Sequence, residues 1–172
     1  MIIIYWIVLY SLQIGTNFLF IASQKDLTKS TLVNVLGYRF IISHILHSIY
    51  IVLFILNSFT LSTLILICQS INLLTIYLQL LHHDYTPTKS RPLDYLFIHI
   101  PIKMWFIISV ILSLPHTAFI AFDWLSTPTW RFSLHQYSAF IALLIPIIIG
   151  FFIILFLRDH IWMLCHMWYV CF

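Results

Sequence analysis

Long apolar stretches alternate with short polar ones along the 172 residues of this chain. Four stretches contain no Lys, Arg, Asp or Glu, namely 1–24, 40–83, 104–122 and 132–157. A helix that crosses the hydrocarbon core of a bilayer needs about 20 mainly apolar residues, so the second stretch has room for two spans. The pattern therefore predicts five transmembrane spans, at about 2–22, 40–57, 61–81, 104–122 and 136–157.

The continuity of these stretches predicts helices and not strands. A membrane strand alternates apolar and polar residues, and no such alternation is present here. In hydrocarbon, a helix satisfies every backbone hydrogen bond within its own segment. The predicted fold class is all-α, a polytopic transmembrane helical bundle of about five spans that forms one domain over 1–157.

The two ends of the chain carry further expectations. The first apolar run has no basic residue before it and is longer than the apolar part of a signal peptide, so we expect a retained membrane helix. The apolar tail, 158–172, is short for a span. It is predicted to be either an interfacial helix or a truncated sixth span.

Composition supports a membrane location. The chain is 62% hydrophobic and 8% charged, whereas soluble domains are roughly 25% charged. A net charge of +3, spread along the chain, does not favour nucleic acid as a partner. The expected partner is the lipid bilayer, and other membrane proteins or a hydrophobic small molecule are further candidates.

Basic residues in the connecting segments predict the orientation. Three follow span 1, three precede span 4 and one begins the tail: Lys25, Lys29, Arg39; Lys89, Arg91, Lys103; Arg158. The connection between spans 4 and 5 has only Arg131. Because Lys and Arg accumulate on the cytoplasmic side, we expect a lumenal or extracellular N-terminus and a cytoplasmic C-terminus. No targeting signal distinguishes the endomembrane system from the plasma membrane.

Polar side chains recur at helical spacing within the first four spans. They are Trp6, Tyr10, Gln13 and Asn17; His44, His47 and Ser48; Gln69, Asn72, Thr75 and Gln79; and Trp105, Ser109, Ser113 and His116. The fifth span has no polar side chain between Ser138 and Arg158. The pattern therefore predicts a polar centre among helices 1–4, with helix 5 packed outside them.

Seven of these residues are predicted at similar depth and form the candidate ligand site: Asn17, His44, His47, Asn72, Thr75, Gln79 and Ser109. One interpretation is a polar cavity, open to the cytoplasm, that binds a small molecule, since ionisable groups within a membrane are commonly functional. The other is a set of interhelical hydrogen bonds that only hold the bundle together, each worth about 0.6 kcal/mol. Both interpretations stay open at this point.

Signatures of catalysis are weak. All five Asp residues lie in loops or at span ends, so no paired carboxylates for acid–base chemistry are expected inside the membrane. The three Gly residues form no phosphate-binding loop, and no nucleophile elbow is present. We therefore expect a non-enzymatic protein, with no catalytic residue.

Metal or haem binding is the least favoured alternative. His44 and His47 are three residues apart and could share a ligand, but a haem site needs a facing His on another helix. His116 is the available residue, and it is expected at a different depth. No metal site and no cofactor is predicted, and a haem or metal redox protein is kept only as an alternative.

Four stretches carry a resemblance to a known family: YWIVLYSLQIG (5–15), FIISHILHSIYIVLF (40–54), INLLTIYL (71–78) and FIHIPIKMWFIISVIL (97–112). In order and spacing, over about residues 3–157, they resemble fungal multi-pass membrane proteins catalogued as a domain of unknown function. Members of that family have further helices at both ends, so the resemblance implies a shortened or incomplete member. It implies no activity.

A more distant similarity is to the tryptophan-rich sensory protein and translocator family. The YWIVLY stretch, followed by Gly15, and the five-span layout carry it. That family binds porphyrins and sterols, so the resemblance implies a small-molecule or lipid-binding membrane protein. The chain departs from the family at His44 and His47, where Asn and Trp are usual, and its aromatic-rich ligand loop is not recognisable.

Overall fold

The computed structural model describes residues 2–23, 25–82, 85, 91–123, 132–157, 159, 162–164 and 167. Over these residues the fold is an all-α bundle, as predicted. The α-helices are α1 (Ile2–Ala22), α2 (Asp26–Ser30), α3 (Gly37–Ile55), α4 (Phe59–Leu80), α5 (Pro92–Asp94), α6 (Ile100–Ile108), α7 (Leu114–Ala121) and α8 (Phe132–Leu157). Three π-helical segments, Thr31–Leu36, Tyr95–His99 and Ser109–Ser113, join consecutive helices without a break.

Four helical stretches of the described chain are long and apolar enough to cross a membrane. They are Ile3–Ala22, Asp26–Ile55, Phe59–Leu80 and Pro92–Ala121. Helix α8 covers the predicted fifth span, 136–157, and starts four residues before it.

The second span starts earlier than its charges suggest. The segment before Phe40 was expected to be a basic loop, but it is helical from Asp26. Thr28, Leu32 and Leu36 are spaced by one helical turn and are at most 2% exposed, while Lys29 points to the surface. The segment therefore has a buried face, and packing of that face favours a helix over a loop.

The fourth span also starts early, at Pro92 and not near 104. Prolines at 87, 92 and 101 favour an interrupted segment by their local preference. In the structure Pro92, Pro101 and Pro115 occupy the first turns of α5, α6 and α7. At Pro92, where the span begins, the first N–H groups have no intrahelical acceptor, so a proline costs little there. Pro101 and Pro115 lie inside the continuous span, each just after a π-helical segment that interrupts the regular α-helical hydrogen bonding. Two π-helical segments precede α6 and α7 and connect the pieces into one span. Pro87 lies outside the described residues.

Helices α3 and α4 form an antiparallel hairpin through a tight turn at 56–58. Asn57 has a φ of 58°, a left-handed conformation that Asn adopts more readily than most residues. The side-chain amide of Asn72 donates hydrogen bonds to the Arg39 carbonyl at 2.8 Å and to the Ser43 hydroxyl at 2.7 Å. These bonds fix the register of the hairpin.

Helix α1 packs closely on the fourth span. Gly15 lies against the ring of Phe97, and a methyl group added at Gly15 would overlap that ring. The Thr16 hydroxyl donates to the Phe97 carbonyl, and the Tyr5 hydroxyl donates to the Met104 carbonyl at 2.9 Å. The missing side chain at Gly15 therefore permits the approach that these bonds hold in place.

The start of the tail packs on α4 and α6. The Lys103 ammonium lies 2.6 Å from an Asp159 carboxylate oxygen, and both side chains are 5% exposed. The Tyr77 hydroxyl also donates to Asp159, at 3.1 Å, and the backbone N–H of Trp162 donates to it at the same distance. Burial alone would raise the pKa of Asp159, but Lys103 and these donors outweigh burial and hold it below its usual value.

The remaining tail positions lie outside the described residues, apart from Met163, Leu164 and Met167. The ring of Trp162 is 5.2 Å from Tyr77 and 5.5 Å from Phe106. Trp162 is therefore packed against the bundle, whereas Leu164 and Met167 are exposed. The choice between an interfacial helix and a truncated sixth span stays a prediction.

Candidate functional site

His47 lies where three helices meet. It is 7% exposed, and one ring nitrogen, Nε2, is 3.3 Å from the Tyr10 hydroxyl of α1. The other, Nδ1, lies 3.3–3.4 Å from the amide of Gln69 on α4. A neutral imidazole has one donor and one acceptor nitrogen, so it satisfies both contacts. His47 therefore bridges α1, α3 and α4 by hydrogen bonds.

Aromatic rings surround this bridge. We name as the aromatic cluster the residues Trp6, Tyr10, Phe40, His44, His47 and Trp105. Trp105 of α6 has its ring centre 4.7 Å from that of His44 and 5.7 Å from that of His47. Phe40 meets His44 edge to face at 4.6 Å. The cluster presents flat, polarisable surfaces from three helices, which is typical of sites for apolar ligands.

Several buried polar atoms at this centre have no hydrogen-bond partner within the described chain. They are both amide atoms of Gln13, the His44 Nε2 and the Trp105 Nε1. Gln13 is 3% exposed and lies one helical turn after Tyr10. A buried polar group without a partner costs about 1–3 kcal/mol, and such groups are uncommon in native proteins. The centre therefore offers unused donors and acceptors next to aromatic rings.

The structure places only part of the predicted site in the aromatic cluster. His44 and His47 belong to it, and Ser109 is buried in the π-helical segment just after α6. Asn72 instead bonds α4 to α3, as the interpretation of interhelical hydrogen bonds predicts. Gln79 lines a separate cavity at the end of α4.

Asn17 and Thr75 were expected to line the same cavity and do not. Both side chains are exposed on the surface of the bundle. On α1 the buried stripe runs through Leu9, Gln13 and Thr16, so the helix is rotated away from Asn17. The Thr75 hydroxyl bonds to the Asn72 carbonyl of its own helix, at 2.7 Å. Spacing placed these residues on a polar face, but packing decided which edge of that face is buried.

Gln13, Gln69 and Trp105 are central residues that the predicted site left out. All three lie on the polar faces identified from the sequence, and all are at most 3% exposed. For Gln13 the sequence did contain a signal, because an amide side chain in the middle of a long apolar run indicates a buried polar position.

Among the residues that the structure describes there is no group of three His, Cys, Asp or Glu side chains placed to hold a metal ion. His44 and His47 are in contact with rings and, for His47, with neutral polar groups.

Fold and site together define an integral membrane protein whose helical spans enclose an aromatic and histidine-containing centre. The family model described as TSPO-like protein matches residues 1–171, so the chain belongs to the TSPO-like protein family. This match confirms the more distant of the two resemblances; the fungal family of unknown function stays a prediction. No curated protein and no solved structure is significantly similar to the chain.

Proposed function

We propose that the protein binds an apolar small molecule, porphyrin-like or sterol-like, at the aromatic cluster, and that it does so without catalysis. The observation that carries the proposal is the set of unpartnered polar atoms on Gln13, His44 and Trp105. These atoms lie on α1, α3 and α6, beside rings that can pack on a flat ligand. Membership of the TSPO-like protein family supports a binding function.

The chemistry of the unpartnered atoms specifies what the ligand must offer. The Trp105 indole N–H and the Gln13 amide nitrogen are donors, so the ligand needs an acceptor such as a carbonyl or ring nitrogen. The Gln13 carbonyl oxygen is an acceptor and requires a ligand N–H or O–H. A mainly apolar ring system with one donor and one or two acceptors would satisfy the centre.

A second candidate is a structural or partner-binding membrane protein with no ligand. The hydrogen bonds of Asn72 and His47 favour it, because these two predicted site residues already have partners on neighbouring helices. This candidate does not explain why the buried polar atoms of Gln13 and Trp105 have no hydrogen-bond partner among the described residues. We therefore rank ligand binding first, and partner proteins remain a prediction.

The ligand proposal is tested by mass spectrometry of small molecules that stay bound through gentle purification. We expect wild-type protein to retain a specific apolar compound, and the double variant Gln13→Leu/Trp105→Phe to retain at least about tenfold less. Loss of two hydrogen bonds, each worth roughly 1 kcal/mol, has an effect of that size. Ser48→Ala is the matched control, because Ser48 is exposed and bonds only to the His44 carbonyl of its own helix.

Two results would contradict the proposal. One is equal recovery of the compound from the folded double variant and from wild type. The other is recovery of bulk lipid alone from every sample, which would favour the structural candidate.

We also propose that the N-terminus is lumenal or extracellular, on the basis of the basic residues around the second and fourth spans. Single cysteines at Lys29 and Lys89, in a chain without its native cysteines, should react with an impermeant reagent only from the cytoplasmic side. A cysteine at Thr60, exposed in the first turn of α4, should react only from the other side. Labelling of the first two positions from opposite sides would show that the proposed topology is wrong.

A further inference from the structure

A cavity of about 420 Å³ lies at the C-terminal end of α4. Its lining residues are Asn34, Val35, Leu78, Gln79, His82 and Tyr85. None of them belongs to the aromatic cluster. Four of the six have polar side chains: Asn34, Gln79, His82 and Tyr85. The cavity is therefore separate from the proposed ligand site.

One side of this cavity favours a hydrogen-bond donor with positive charge. The Gln79 side-chain oxygen is buried and has no hydrogen-bond partner among the described residues. It lies in the last turn of a 22-residue helix, where the aligned peptide dipoles give a partial negative charge. An ammonium group would satisfy the oxygen and interact favourably with the helix end.

The other lining side chains can bind an anion next to that ammonium. The Asn34 amide uses one N–H for the Ser30 hydroxyl, at 3.0 Å, and has a second N–H to donate. The Tyr85 phenol is also able to donate. The cavity therefore combines a place for an ammonium with donors for a phosphate.

An exposed apolar stripe lies directly beside the cavity. Leu78 is 55% exposed, and Leu74 and Ile71, one and two turns earlier on α4, are 39% and 57% exposed. These three side chains lie along one side of the helix, at steps of three and four residues. An acyl chain can lie along this stripe while its headgroup occupies the cavity.

We infer that this cavity binds the headgroup of a phospholipid with a primary amine, an ethanolamine phospholipid. The ammonium contacts Gln79 and the end of α4, the phosphate accepts hydrogen bonds from Asn34 and Tyr85, and the acyl chain follows Leu78. A choline headgroup has no N–H and cannot satisfy the Gln79 oxygen. Free phosphoethanolamine offers the same ammonium and phosphate groups as the lipid. The stripe of Ile71, Leu74 and Leu78 is therefore the feature that favours the lipid, because only the lipid has an acyl chain to lie along it.

The test is native mass spectrometry of delipidated protein given equal amounts of ethanolamine and choline phospholipids with identical acyl chains. Wild type should retain the ethanolamine lipid about tenfold more than the choline lipid, the effect of one charge-assisted hydrogen bond. Gln79→Leu should bring the ratio close to one. Thr75→Val is the matched control, because Thr75 is exposed one turn earlier on α4, and it should keep the wild-type ratio.

A variant with the opposite expected effect keeps the test informative if Gln79→Leu fails to fold. Gln79→Glu keeps the shape of the side chain and adds negative charge, so it should raise the ethanolamine preference above wild type. Equal retention of the two lipids by wild type, or an unchanged ratio in both Gln79 variants, would overturn the inference. Displacement of the bound lipid by millimolar phosphoethanolamine would overturn the lipid assignment in favour of a soluble ligand.

Discussion

Lys103→Met is expected to destabilise the folded protein by about 3–5 kcal/mol, because it leaves the buried Asp159 carboxylate without its cation. The two groups are 2.6 Å apart and 5% exposed, so water replaces the lost partner poorly. The hydrogen bonds from Tyr77 and Trp162 to Asp159 remain, but they do not supply a positive charge. Thermal unfolding in detergent micelles, followed by circular dichroism, measures the loss.

Two variants separate this ion pair from a general effect of removing charge. Lys29→Met removes a charge from an exposed position and should change stability by no more than about 0.5 kcal/mol. In Lys103→Met/Asp159→Leu neither charge is left buried, so most of the lost stability should return. If the double variant were as unstable as Lys103→Met, an unpaired carboxylate would not be the cause.

Gly15→Ala is expected to cost about 1–3 kcal/mol, since the added methyl group overlaps the Phe97 ring and forces apart α1 and the fourth span. At an exposed helical position the same change would instead stabilise, by about 1 kcal/mol, because Ala favours the helix more than Gly does. A loss of stability would therefore show that the added methyl group meets the Phe97 ring, and a gain would show that it does not. Unfolding measured in the same detergent gives the free-energy difference.

The control for Gly15→Ala is a background in which the added methyl group no longer overlaps the Phe97 ring. Phe97→Leu removes the ring, so Gly15→Ala should cost clearly less in that background than in wild type. Gly37→Ala provides a comparison, because Gly37 has a φ of 30° and open space around its Cα. Its cost comes from backbone strain and should not change with Phe97→Leu. Equal costs for Gly15→Ala in both backgrounds would show that the ring does not set the distance.

The ligand site was predicted only in part, and the reason lies in helix rotation. Helical spacing brought Tyr10, Gln13 and Asn17 onto one face, and a face of that width extends over both buried and exposed positions. The sequence pattern contains no information about which edge meets the neighbouring helix. The structure buries Gln13 and exposes Asn17 because Thr16 and Gly15 meet the Phe97 region.

The lengths of the spans show a similar limit. Charged residues and prolines at 26–39 and 92–103 indicated loops by their local preferences, and both segments are helical. Thr28 bonds to Asp94 at 2.9 Å, and Arg91 lies 3.2 Å from the same carboxylate. A charged residue at the end of a span is stable in a helix when a partner from another segment satisfies it. Thr28 and Asp94 are 66 residues apart in sequence, so local patterns do not reveal this bond.

By itself the sequence determined that the chain is a helical membrane protein, because long uncharged stretches leave the backbone no other way to satisfy its hydrogen bonds in lipid. It also placed His44 and His47 at the polar centre, since intramembrane polar groups avoid lipid by facing other helices. The tertiary structure alone decided the partners: Lys103 with Asp159, Gly15 with Phe97, and Trp105 with His44. These contacts depend on how the helices rotate and approach one another, and that is set by packing across the whole bundle.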